Sequence, residues 1–325
     1  MMKNDLYRKE ESKHFYDNRY EKGYMEEWPD GKLRRVIELI KILPLPETGI
    51  VLDFGCGNGI FTNVLRQALP NWKIYGCDIS TNAINNAKIS FPDCTFFVSD
   101  NDHPSDLKFD FLFSHHVLEH VFDIKKTISE INRYLKPNSF VFHIFPCGNE
   151  GSFEYRICKM KTDGINEKME NRFFFEDEGH VRRLTTEQTN QLMSRHEFIL
   201  ERDYYSGQFF GAIKWISQSS PMRILTFTNP KKTIDNKAFR YLSFLRISFI
   251  LLFLLQLPAN LYNRINLIRK KKIIHYCILM LDFIPSILSY PIYALVNYKA
   301  EQEWKKSKHL KNGSEMYLFY SRVQL

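Results

Sequence analysis

The sequence predicts an α/β protein: a doubly wound, mostly parallel seven-stranded sheet with an inserted apolar helical hairpin. Three observations predict it. The apolar run Ile50-Val51-Leu52 reads as a buried strand, breaks into glycines at alternate positions (Gly55, Gly57, Gly59), and continues with helical spacing from Ile60 to Leu65. Strand-like and helix-like patterns then alternate as far as Pro146, the order that builds parallel sheets from βαβ units. Finally, two strand-like runs near 198–205 and 315–323 are separated by a long basic and apolar stretch.

Length and composition bound the reading. The chain of 325 residues holds enough sequence for one large or two modest domains. Its six cysteines are scattered with no C-x-x-C pair, which argues against a zinc knuckle or a disulfide scaffold and favours reduced thiols in the cytoplasm. The first thirty residues are polar and charged, so no secretory signal is expected. Charge is uneven: residues 1–205 carry 27 Lys/Arg against 32 Asp/Glu, whereas residues 206–325 carry 18 against 5. The basic excess therefore accompanies the long apolar runs, which favours an anionic membrane surface over nucleic acid.

In chain order, residues 1–47 form a helical, aromatic segment (Phe15, Tyr16, Tyr20, Tyr24, Trp28) ending at Pro44 and Pro46. Its aromatics either pack on the domain or form a lid. The glycine turn follows. It needs glycine because a strand turning sharply into a helix requires unusual φ/ψ, and because a ligand approaches backbone only where no Cβ intervenes. The helix start beyond it leaves free N–H groups. A second strand runs from Trp72 to Asp78, followed by Ile79 and a helix over 81–90. The third strand ends at Asp100 and the fourth at Ser114, before His115, His116, Glu119 and His120. Acids at successive strand ends suit ligand hydroxyls and amines, since ligands of such sheets bind at the carboxyl ends of the strands.

With Asp53 before it, the G-x-G-x-G turn resembles motif I of class I S-adenosylmethionine (SAM) methyltransferases. The run Asp110-x-Leu112 to Leu118-Glu119-His120-Val121 is similar to the segment after strand four in the ubiquinone-biosynthesis O-methyltransferases. Leu135-Lys136-Pro137 and the strand to Pro146 match the next part of that domain. The resemblance covers about residues 48–205 and implies a SAM-binding core. The cofactor-binding positions expected from it are Asp53, Gly55, Cys56, Gly57, Gly59, Asp78, Ile79, Asp100, Ser114 and His115, with Asp78 on the ribose and Asp100 on the adenine amino group. Acidic and histidine positions after strand four are associated with a divalent metal in those relatives. Here His116 stands where they carry an acid, so no metal is expected.

Transfer of a methyl group from SAM requires positioning of the acceptor and, for a hydroxyl, removal of its proton. Histidine suits that task near neutral pH. His115, His116, His120, His143 and His180 all fall near predicted strand ends or the loops after them. His180 is the favoured base, with His116 and His120 as further catalytic candidates.

Residues 206–312 form an insertion and 313–325 the last strand of the core sheet. The apolar runs 242–257 and 273–296 approach bilayer-spanning length. A two-pass hairpin would put Arg264, Arg269, Lys270, Lys271 and Lys272 outside, against the positive-inside tendency; interfacial or re-entrant helices would not. The reading is thus a SAM-dependent O-methyltransferase at the cytoplasmic face of a membrane, acting on a small-molecule or lipid-linked acceptor. Two rivals remain: an enzyme for a soluble small molecule with the hairpin as lid or dimer contact, and a non-catalytic SAM-binding protein. No nucleic-acid partner is expected, since no Asn-Pro-Pro-Tyr or Asp-Pro-Pro-Tyr motif follows strand four.

Overall fold

The computed structural model describes residues 2–24, 28–99, 107–268 and 271–322, with side chains from Glu10 onward. Asp100, Arg269 and Lys270 lie outside the described residues. Two helices, α1 (Met2–Glu21) and α2 (Asp30–Lys41), precede β1 (Ile50–Phe54), α3 (Ile60–Ala68), β2 (Lys73–Asp78), α4 (Thr81–Ser90) and β3 (Thr95–Val98). Then come β4 (Phe109–His115), α5 (Ile124–Tyr134), β5 (Leu135–Pro146), α6 (Phe153–Lys159) and the short strands β6 (Ile165–Asn166) and β7 (Arg172–Phe173). The chain ends with α7 (Thr186–Ser194), β8 (Phe198–Ser206), α8 (Phe210–Ser217), α9 (Pro221–Phe227), α10 (Asn236–Leu267), α11 (Ile273–Ser307) and β9 (Glu315–Arg322).

Seven strands form one sheet in the order β3-β2-β1-β4-β5-β9-β8. The predicted fold class is thereby met. β1 pairs in parallel with both β2 and β4, so that Val51 faces Ile74 on one side and Phe111 on the other. Val51, Leu52, Phe111, Leu112, Val141 and Phe142 are buried completely, as expected of parallel strands covered on both faces. The order reverses between β1 and β4, so the carboxyl ends of these strands form the crevice where such sheets take ligands.

The fold divides into two compact units. The first comprises Met1–Phe145, Glu187–Asp203 and Tyr317–Leu325; the second comprises Pro146–Thr186 and Tyr204–Met316. Helix starts in the first unit follow local chemistry. Ser80 caps α4 by accepting from Ala83 N (3.1 Å), and Asp123 caps α5 by accepting from Lys126 N (2.9 Å).

The second unit has its own apolar core, in which Phe153, Ile157, Ile216, Phe227, Leu242 and Phe249 pack together. Its two long helices are 32 and 35 residues, with Pro258 inside α10 and Pro285 and Pro291 inside α11. Proline disturbs the helical ladder, and next to Pro258 the Ala259 N–H is diverted to Ser289 Oγ on α11 (2.8 Å). Glu303 of α11 caps α8, accepting from Phe209 N (2.9 Å), Phe210 N (2.7 Å) and Gly211 N (3.0 Å).

Candidate active site

The glycine turn after β1 is a left-handed cradle. Gly55, Gly57 and Gly59 hold φ angles of 75°, 51° and 80°, values that L side chains resist. Space excludes side chains as well. A Cβ on Gly55 would stand 2.4 Å from Val117 Cγ2, and one on Gly59 would stand 2.9 Å from Phe96 Cζ.

Asp78, at the end of β2, closes the cradle. Its Oδ2 accepts from Gly57 N (2.9 Å) and its Oδ1 from Ser80 N (2.9 Å). Burial raises its pKa, and the backbone donors at Ser80, Gly57 and Ile79 pull the other way. A carboxylate offers about four lone-pair sites, so acceptor capacity remains for a ligand's hydroxyls. Ile79 follows directly and places its N–H on the same carboxylate.

Asp53 lies beneath the turn, 1% exposed, and accepts from Thr62 Oγ1 at 2.6 Å. Burial pushes its carboxyl up to about 7; the Thr62 bond opposes this and the Asp78 charge adds to it. Cys56 is buried, and desolvation together with Asp53 and Asp78 drives its thiol upward. It is therefore a neutral, packed thiol.

The N-terminal segment reaches this region through Asp17, Tyr20, Tyr24 and Trp28. The Tyr20 hydroxyl stands 2.6 Å from where a Cβ on Gly57 would be. Asp17 accepts from Ser80 Oγ (2.5 Å) and Asn82 N (3.2 Å), so its carboxylate lies at the start of α4. Tyr24 contributes its carbonyl to Asn58 Nδ2 (3.1 Å). Trp28 packs edge-on against His115, with ring centroids 4.7 Å apart, and His115 stacks on Phe61 at 3.8 Å. The aromatic run is visible in the sequence, but the roles of Tyr20 and Asp17 are not, because their partners lie 37 to 65 residues further on.

The end of β4 gathers the other candidates. Ser114 is buried and its hydroxyl is bonded to His143 Nδ1 (2.6 Å). Burial lowers the His143 pKa to about 3, so that ring is neutral. His116 adopts φ 55°, a strained value for a non-glycine residue. It is held there by its N–H donating to Ile144 O (2.8 Å). Its Nδ1 stands 2.9 Å from Oε1 of Glu119, a carboxylate 1% exposed. His120 Nε2 is 3.9 Å from the same oxygen.

His180 belongs to the second unit. Its Nδ1 is 3.7 Å from Glu176 Oε1. Glu176 is itself bound by Arg183 Nη1 (2.7 Å) and Phe173 N (3.0 Å). Arg183 Nη2 reaches Glu154 Oε2 (2.7 Å), whose other oxygen accepts from Trp215 Nε1 (2.6 Å). Arg183 lowers the Glu176 pKa against the opposing effect of burial, and the two carboxylates push the guanidinium upward. The structure thus brings Asp53, Gly55, Cys56, Gly57, Gly59, Asp78, Ile79, Ser114, His115, His116 and His120 into the first unit and leaves His180 in the second.

The turn fits SAM on chemical grounds: backbone at which no Cβ is tolerated, beside a buried acid with acceptor capacity. Comparison with known proteins agrees. Residues 24–201 match the family described as "Methyltransferase domain". A trans-aconitate 2-methyltransferase of Variovorax paradoxus is 30% identical over 38% of this chain and 48% of its own length. A malonyl-[acyl-carrier protein] O-methyltransferase of Ilyobacter polytropus is 27% identical over 53% of this chain and 66% of its own length. The chain thus spans about half to two thirds of these curated relatives. A solved SAM-dependent methyltransferase from Methanosarcina mazei aligns with a TM-score of 0.43 and 20% identity over 56% of this chain and 90% of that one, a likeness too low to bear on function. The family match covers more than half of the sequence: the chain belongs to the methyltransferase-domain family, and SAM is the cofactor that goes with it.

Proposed function

We propose that this protein transfers a methyl group to an oxygen of a lipid-soluble or lipid-linked acceptor at the cytoplasmic face of a membrane. The observation that carries the chemistry is Asp78, a buried carboxylate tied to the N–H of Gly57 inside a three-glycine cradle. SAM supplies, when bound, an electrophilic methyl group on a sulfonium. The chain's own residues bind and orient. The glycine turn of residues 55–59 presents backbone to the cofactor, Asp78 accepts ribose hydroxyls, and Tyr20 and Asp17 bring the N-terminal helix over the turn as a lid. Asp100 is assigned to the adenine amino group from its sequence position alone.

His116 is the base that the geometry favours. Glu119 at Nδ1 orients the imidazole, and we assign to this ring the proton of an acceptor hydroxyl. His180, beside Glu176, is the second candidate, and His120 shares the Glu119 carboxylate with His116. An oxygen acceptor is supported by the relative named for O-methylation of a carrier-linked malonyl group. The membrane location is supported by the long, exposed apolar faces of α10 and α11.

Calorimetric titration of the detergent-purified protein with SAM, beside D78N, tests the cofactor reading; equal affinity in both would defeat it. Transfer of labelled methyl groups to lipid extracts then tests the acceptor. Incorporation only into water-soluble material would leave methyl transfer standing and remove the lipid. H116Q and H180Q, assayed with that acceptor, separate the two candidate bases.

A further inference from the structure

We propose that the α10–α11 hairpin lies within one leaflet of an anionic bilayer, its tip returning to the side of entry, and does not cross. This rests on the membrane reading above and concerns how that surface engages lipid.

Each helix separates an inner from an outer face. On α10 the buried positions Leu242, Phe249 and Gln256 recur every seventh residue. The polar inner groups are satisfied within the second unit: Gln256 exchanges hydrogen bonds with Gln218 (3.1 Å) and Ser217 (2.9 Å), and Asn260 donates to Gln218 O (3.2 Å). The outer face is apolar and open. Phe244, Ile247, Leu251 and Leu254 follow one another at helical spacing and are each more than half exposed. On α11, Met280, Leu281, Ile284 and Leu288 are 68–81% exposed. A contiguous apolar face of this extent marks an interaction surface. Its partner is indicated by charge: residues 206–325 carry 18 Lys/Arg against 5 Asp/Glu, which suits anionic head groups.

Three features favour lying in the leaflet over spanning it. The chain leaves and returns at one place, where Ser314 N donates to Ser206 O (2.8 Å), so both feet of the hairpin share one side. A spanning hairpin would therefore carry its basic tip, including Arg264, Lys271 and Lys272, to the opposite side, against the usual distribution of cations. The third feature is Asp282, whose Oδ2 is buried and has no hydrogen-bond partner among the described residues. It follows Lys272 by ten residues, and at about 1.5 Å per residue it would stand about 15 Å beyond the tip. That is the centre of a hydrocarbon core about 30 Å thick, the costliest depth for a carboxylate. Lying flat keeps the partly exposed Asp282 near the head groups and away from the centre of the hydrocarbon core.

Cys277 reads out the geometry. It is exposed near the tip, whereas Cys56, Cys77, Cys94, Cys147 and Cys158 are buried. The full chain would be expressed in bacteria and its membranes treated with a charged, membrane-impermeant maleimide, as sealed inverted vesicles and as right-side-out vesicles, with C277S as the control. The expected result is labelling of Cys277 in inverted vesicles only. Labelling in right-side-out vesicles shows a spanning hairpin and overturns the proposal, as does labelling that appears only after detergent. In parallel, purified protein would be sedimented with phosphatidylcholine vesicles with and without one quarter phosphatidylglycerol. Binding should require the anionic lipid and fall at least tenfold in high salt. Failure to bind either vesicle, with the expressed protein in the soluble fraction, would defeat the membrane reading itself.

Discussion

Two clusters of buried charge, one in each compact unit, are built on opposite plans. In the first unit no cation stands beside the buried Asp53 and Asp78 among the described residues; Thr62 and backbone N–H groups hold them, and burial raises both pKa values. In the second unit Arg183 lies between Glu154 and Glu176, donates also to the carbonyls of Cys147 (2.8 Å) and Ser314 (2.9 Å), and stacks over Phe173 at 4.0 Å. The paired cluster satisfies itself and serves as scaffold. The carboxylates held by Thr62 and backbone N–H groups keep acceptor capacity to spare, which suits a binding site.

The contrast breaks most visibly at Arg183. R183M would strand two buried carboxylates, and removing one partner of a buried ion pair costs about 3–5 kcal/mol. Urea denaturation should show a loss of that order; a change below about 1 kcal/mol would mean the cluster is not the scaffold described. At Asp78 the effect should fall on binding. D78N weakens acceptors of charge-assisted hydrogen bonds worth about 1.5–3 kcal/mol each, so SAM affinity measured by calorimetry should fall about 10–100-fold. Stability should also fall, by about 1–3 kcal/mol, because Asn accepts with one oxygen only and one of the N–H groups of Gly57 and Ser80 loses its partner.

Gly57→Ala comes next. Left-handed backbone costs an L residue about 1–2 kcal/mol, and the new methyl would press on Tyr20 Oη. SAM affinity should fall by roughly tenfold; unchanged affinity would separate Gly57 from the cofactor.

The smallest effect is pH-dependent. Asp53 titrates at about 7 in the fold, against an ordinary value of 3.8. Between those values the folded state holds the extra proton, so its contribution to stability is present at the acid end and is lost as pH rises through about 7. Denaturation of D53N and parent at pH 6 and pH 7, without SAM, should show the variant gaining on the order of 1 kcal/mol at the higher pH. A parallel response of both proteins would show that Asp53 is ionised throughout.

Legibility in the sequence followed the range of the interactions. The G-x-G-x-G turn and Asp78 were readable because strand, turn and acid follow one another within some thirty residues, and local backbone chemistry dictates glycine. The alternation over 72–146 was enough for the sheet, since parallel strands buried on both faces leave continuous apolar runs. Ser114 was expected at the cofactor from its place at a strand end, and only packing shows its hydroxyl committed to His143. Glu119 stands in a recognisable motif, but its contact with His116 depends on the unusual φ of His116. The Arg183 cluster left no trace in the pattern, because Glu154 and Trp215 are 29 and 32 residues away from Arg183 in sequence.

By itself the sequence determined the fold class, the glycine cradle and the apolar, basic character of the insertion. These depend on residue type and short-range spacing, which one strand or one helix expresses alone. Tertiary structure decided which carboxylates meet a guanidinium and which meet backbone N–H groups, where the N-terminal helix lays Asp17 and Tyr20, and which faces of α10 and α11 stay open. Those outcomes depend on burial and on partners brought together from distant parts of the chain, and burial sets whether a charge is a strut or a binding group.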